Sequence, residues 1–95
     1  MEETLSDANT RIIWNKITEE QFLKILEQIP AMIRGIAETR VNNKAQQLAK
    51  ETGLTEINEE VMVKAFFAET PLGFVPAMKK SMEELGINFA QYGYK

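Results

Sequence analysis

The stretch EQIPAMIRGIAE, residues 27–38, sets a proline inside an apolar run at helical spacing. Upstream, Phe22, Ile25, Leu26 and Ile29 draw one apolar stripe at the period of an α-helix. Pro30 ends that stripe, because its ring pushes Ile29 out of the helical region. A proline also suits the opening turn of a following helix, where its missing amide hydrogen has no partner to lose. The interruption therefore predicts a corner between two helices.

Beyond the corner, the second helix is expected from about Pro30 to Thr52, which makes it the spine of the domain. Ile33, Ala37, Val41, Ala45 and Leu48 mark its inner stripe. Gly53 stops it as a left-handed cap, with Leu54 as the apolar residue that follows such a cap. Before the corner, TEEQ at 18–21 predicts a capping box starting the first helix at Thr18. After the spine, LTEI is a short extended link, and Asn58 caps a third helix with Glu59 and Glu60 in its first turn. A fourth helix is expected over about Pro76–Leu85, after the loop ETPLGFVP and before Gly86. The fold class is thus all-α: a small bundle of about four helices around one long central helix. Residues 1–10 read as a flexible tail, 11–69 as the helical domain, and 70–95 as a helical extension with an aromatic end. RIIWNKI, residues 11–17, is too apolar for a free tail and is expected to dock through Trp14. The predicted core is Trp14, Ile25, Leu26, Ile29, Ile33, Val41, Leu48, Ile57, Val61, Ala65 and Phe66.

Composition limits the chemistry. The chain has 95 residues, 44% hydrophobic and 26% charged, with a net charge of −3 and neither cysteine nor histidine. Thiolate and imidazole chemistry, including Cys₄ zinc sites and Ser-His-Asp triads, is outside its repertoire. Glu19–Glu20, Glu59–Glu60 and Glu83–Glu84 are adjacent pairs, which point about 100° apart on a helix and do not converge on one bond. No catalytic residue, cofactor or metal site is predicted, and the chain is expected not to be an enzyme on its own. An acidic balance argues against nucleic acid as a partner. The acidic start and the lack of a long apolar run read as a cytoplasmic protein without a membrane segment.

Arg34 falls on the apolar stripe of the spine, since Val41 and Ala45 flank its angular position on the helix. In one reading its stem packs on the core and its guanidinium pairs with Glu38 or another acid. In the other it forks onto a carboxylate or phosphate of a partner. Arg40 and Lys44 form a basic pair at i, i+4 among Asn42, Asn43, Gln46 and Gln47, a strip that is either a solvated face or a contact for a nucleic-acid backbone. The third helix is apolar on two sides, the second carrying Val63 and Phe67. That side is covered by the chain's own GFVPAM segment or aromatic end, or it docks another subunit, a homodimer included. The candidate partner-binding residues are Arg34, Arg40, Lys44, Val63 and Phe67.

The pattern of Trp14, Leu26, Ile29, Pro30, Ile33, Arg34, Ala45, Ala49, Gly53, Ile57, Val61 and Ala65 resembles the PCP_red domain. This is the small C-terminal domain of a subunit of light-independent protochlorophyllide reductase, and the likeness covers roughly residues 14–66. The resemblance implies an accessory docking domain of a redox assembly in chlorophyll biosynthesis and photosynthesis, with a redox enzyme subunit as its protein partner. Asn42 and Asn43 depart from it, standing where that family carries a glutamate. The short-long-short helix order is also similar to a histone fold, which implies a dimer binding nucleic acid through Arg40 and Lys44.

Overall fold

The computed structural model describes residues 11–95; the expected tail at 1–10 lies outside the described residues. Strand β1 (Ile13–Trp14) leads into helix α1 (Lys16–Glu27), the long helix α2 (Ala31–Glu51), strand β2 (Glu56–Ile57), helix α3 (Glu59–Glu69) and helix α4 (Val75–Glu84). Single 3₁₀ turns at Leu72–Phe74 and Phe89–Tyr92 precede and follow α4. The architecture is the expected one: an all-α domain of four helices with one long central helix, which packs most extensively against α3.

A miniature parallel pairing, Ile13 with Glu56 and Trp14 with Ile57, sits outside that expectation. It also moves the start of α1. Asn15 donates its backbone N–H to Ile57 O at 2.9 Å, and its side chain donates to the Glu56 carboxylate at 2.6 Å. Held there, Asn15 Oδ1 accepts from Thr18 N at 3.1 Å and becomes the N-cap. Thr18 is buried in the first turn instead of capping it. Gln21, freed from a capping box, reaches across to Glu59 Oε1 at 3.2 Å.

The corner forms at Pro30, the N-cap of α2, whose extended ψ of 137° turns the chain before Ala31 opens the helix. At the far end Gly53 adopts φ +70°, donating to Lys50 O at 3.2 Å while Leu54 donates to Ala49 O at 2.9 Å. This is the two-bond pattern that closes a helix on a left-handed residue. Asn58 caps α3 as expected, its Oδ1 accepting from Val61 N at 3.0 Å.

Ile25, Leu26, Val41, Ile57, Val61, Ala65 and Phe66 are buried as predicted. Phe22, Ala45, Ala49, Met62, Val63, Met78, Met82, Ile87 and Phe89 complete the cluster. Ala45, Ala49 and Ala65 are fully enclosed, and such small side chains let α2 and α3 approach closely. Trp14, Ile29 and Leu48 are half-buried. Trp14 is nonetheless the expected anchor: its ring stacks on Phe22 with centroids 4.5 Å apart, and its Nε1 donates to Asn42 Oδ1 at 2.9 Å. Ile33 departs from the predicted core, being 40% exposed. No residue of α2 before Val41 is buried, so the inner stripe begins two turns later than its apolar residues suggest.

Candidate docking groove

The exposed start of α2 forms one wall of a groove. Pro30, Ile33, Ile36 and Ala37 face Pro71, Phe74, Ala77 and Met78, with Ile25 and Phe66 at the base. Exposure is 57% for Ile36 and 55% for Phe74, and Met32 on α2 and Leu72 in the 3₁₀ turn are almost fully exposed. The groove measures about 250 Å³. That lies below the ~300–1,000 Å³ of sites that enclose a small molecule. It suits a few side chains inserted from a larger body.

Polar groups in the groove divide into engaged and unengaged. Ser81 Oγ donates to Gln28 Oε1 at 2.7 Å, and Thr70 Oγ1 donates to Met78 Sδ at 3.2 Å. Arg40 and Glu69 also line the groove. Among the described residues the ion pair within 4.0 Å is Lys64–Glu60, at 2.9 Å. Arg40 and Glu69 therefore hold charge without an ionic partner there. Arg40 is exposed, whereas Glu69 is half-buried as the last residue of α3.

The other sequence-predicted residues are scattered. Arg34 braces the corner: its Nε and Nη2 donate to Ile29 O at 3.2 and 2.8 Å, and Nη2 also donates to Glu27 O at 3.1 Å. Its partners are backbone carbonyls at the end of α1 and just after it, not Glu38. Lys44 donates to Gln47 Oε1 at 3.4 Å. The amide strip around Lys44 is largely occupied by the chain itself. Gln46 accepts from Ile12 N and donates to Ile12 O, both at 2.7 Å, so its amide acts as a piece of strand beside β1.

The second apolar side of α3 is covered from within. Val63 is 0% exposed. Phe67 stacks on Tyr94, with centroids 4.0 Å apart and planes 10° apart, and tilts against Phe89. The aromatic end therefore does the covering, and α3 has no broad apolar face left for a partner. Tyr92 ties the same end down by donating to Glu59 Oε2 at 2.8 Å. Partial burial, then the bond to the Glu59 carboxylate, push the Tyr92 phenol up to about 12.

A family model described as "Protein of unknown function (DUF2621)" matches residues 3–94. The chain belongs to the DUF2621 family. Among curated proteins, "Membrane protein YneK" of Bacillus subtilis (strain 168) is 21% identical over 84 residues, 88% of this chain and 59% of that protein. The chain thus spans about three fifths of the length of this relative. No solved structure matches it.

Membership of DUF2621 overturns the likeness to the PCP_red domain, and with it the link to chlorophyll biosynthesis, photosynthesis and a redox assembly. The histone-like reading falls by the same match. The residues behind the first likeness explain why it misled. Pro30 makes a corner, Gly53 a helix stop, Trp14 an anchor, and Ala45 and Ala49 a close helix contact, which are needs of helical packing in any family. Among the described residues of this DUF2621 chain, no helix is long and apolar enough to cross a membrane. Sequence reasoning missed the groove, although Ile33 and Ile36 beside Pro30, and Phe74 beside Pro71, gave a signal. They are more apolar side chains than one buried stripe can use.

Proposed function

We propose that this DUF2621 chain is a non-enzymatic docking domain that receives an apolar segment of a protein partner in the groove between α2 and α4. The observation carrying this reading is the exposure of Ile33, Ile36 and Phe74 around a concave apolar floor. Apolar residues around a depression mark interaction surfaces more often than scattered exposed ones do. The relative's name, a membrane protein, adds a membrane setting: the domain works beside a bilayer on a protein located there. A concave groove accepts a convex protein segment, whereas adsorption to a bilayer needs a convex apolar face.

Site-specific photo-crosslinking in cells tests it. A photoreactive residue at Phe74 is expected to capture a protein, while one at Leu23 on α1, also exposed but outside the groove, captures none. Ile36→Asp should abolish the Phe74 product. Capture of lipid alone, or equal capture from both positions, refutes the docking reading. A second copy of the chain is the competing occupant; a product at twice the monomer mass, with dimer in sedimentation, would assign the groove to self-association.

A further inference from the structure

The docking reading leaves the chemistry of the occupant open, and Glu69 supplies it. We infer that the groove takes a basic amphipathic helix, whose apolar side fills the space between Ile36 and Phe74 and whose lysine or arginine pairs with Glu69. The inference rests on the docking reading and adds to it the shape and charge of the partner.

The shape follows from the walls. They are helices and a 3₁₀ turn, whose backbone groups are mostly bonded within themselves. The two strands of the domain are two residues each and pair with one another away from the groove. An extended peptide adding to a sheet edge has nothing to pair with here. Recognition must run through side chains, which an amphipathic helix presents in a row at i, i+3, i+4 and i+7.

The charge follows from Glu69. A carboxylate at the last position of a helix faces the negative end of the helix dipole, where a cation is favoured instead. Glu69 is also half-buried at a groove whose lining is mostly apolar. Among the described residues it has neither an ionic partner nor a side-chain hydrogen bond. Arg40 lines the same groove but lies beyond 4.0 Å of any described carboxylate. An incoming ammonium or guanidinium would satisfy the carboxylate and offset the dipole at once. The net charge of −3 adds long-range attraction for a basic segment.

A random peptide library displayed on phage, selected against the full chain, tests this with two variants as controls. Wild-type selection should enrich peptides with helical apolar spacing and an excess of Lys or Arg. Synthetic versions of these peptides should bind Glu69→Gln with a Kd weaker by about three- to tenfold. Selection on Glu69→Lys should lose or invert the basic excess. That variant is compatible with the end of α3, where the dipole favours a cation. Ile36→Asp should select none of these peptides. If peptides depend on Ile36 but show no basic excess, and Glu69→Gln binds them as wild type does, the inference is overturned and docking stands. If no selected peptide depends on Ile36, both fall.

Discussion

Replacing Arg34 by Met keeps the length of the stem and removes the guanidinium, which isolates the corner brace. The side chain donates to Ile29 O twice, at 3.2 and 2.8 Å, and to Glu27 O at 3.1 Å. Neither carbonyl receives a backbone N–H from a described residue, because Pro30 and the turn of the chain remove the donors that a continuing helix would bring. A hydrogen bond from a charged group contributes ~1.5–3 kcal/mol when well enclosed. Here the site is half-buried and water can replace part of the loss, so the cost is about 1–2 kcal/mol. Against the ~5–14 kcal/mol expected for a domain of this size, that is a visible fraction. It corresponds to a fall in Tm of roughly 4–15 °C. Arg34→Lys keeps a cation near the C-terminal end of α1, a contribution of ~0.3–1 kcal/mol, but one ammonium cannot reproduce the fork. It should therefore land between wild type and Arg34→Met. Urea titration followed by far-ultraviolet circular dichroism reads the order directly, with an unchanged slope confirming that stability alone moved. If Arg34→Met unfolds at the wild-type midpoint, the brace contributes nothing. If it does so while losing a bound partner, Arg34 is a contact residue and the structural account of the corner is wrong.

Gln46→Ala removes both 2.7 Å bonds to Ile12 and should cost about 1–2 kcal/mol, with amide exchange at Ile12 rising more than at Val61; equal rises at both would deny the clasp. Gly53→Ala places a side chain at φ +70° and should destabilise by roughly 1 kcal/mol through backbone strain, since the space beside it is open. A urea midpoint for this variant equal to that of wild type would remove the left-handed cap from the account. Tyr92 holds its proton more tightly when folded, up to about 12 against 10.0 for an unperturbed phenol. The unfolded chain therefore binds fewer protons between those values, and stability present below pH ~10 is lost as pH rises toward ~12. The difference between wild type and Tyr92→Phe across that window, followed by thermal unfolding, should shrink with rising pH; a constant difference refutes the coupling to Glu59.

Local chemistry was legible and distant chemistry was not. Pro30, Gly53 and Asn58 act on their own neighbours, and each does in the structure what its residue type dictates. Helix α1 starts earlier than the capping box suggests because Asn15 owes its extended conformation to Ile57 and Glu56, far along the chain. The amide strip on α2 read as polar surface because nothing near Asn42 or Gln46 announces that Trp14 and Ile12 return to them. In a domain this small, side-chain amides stand in for strands that the chain is too short to build. The two-sided apolarity of α3 was visible, but only the fold shows Phe89 and Tyr94 closing over Phe67.

Folding explains some of the apolar residues and not others. In α2, Val41, Ala45, Leu48 and Ala49 are buried or half-buried against the rest of the domain. Both apolar sides of α3 find covers inside the chain. Met32, Ile33 and Ile36 do not, although a polar residue at any of these positions would serve the helix and its solubility equally well. Of these, Ile33 and Ile36 gather with Phe74 around one concave floor, and apolar side chains left uncovered in this way are unfavourable in isolation. Burial in a complex, as proposed above, would account for their place, and the half-buried Glu69 in the same groove sets the charge such a complex would meet.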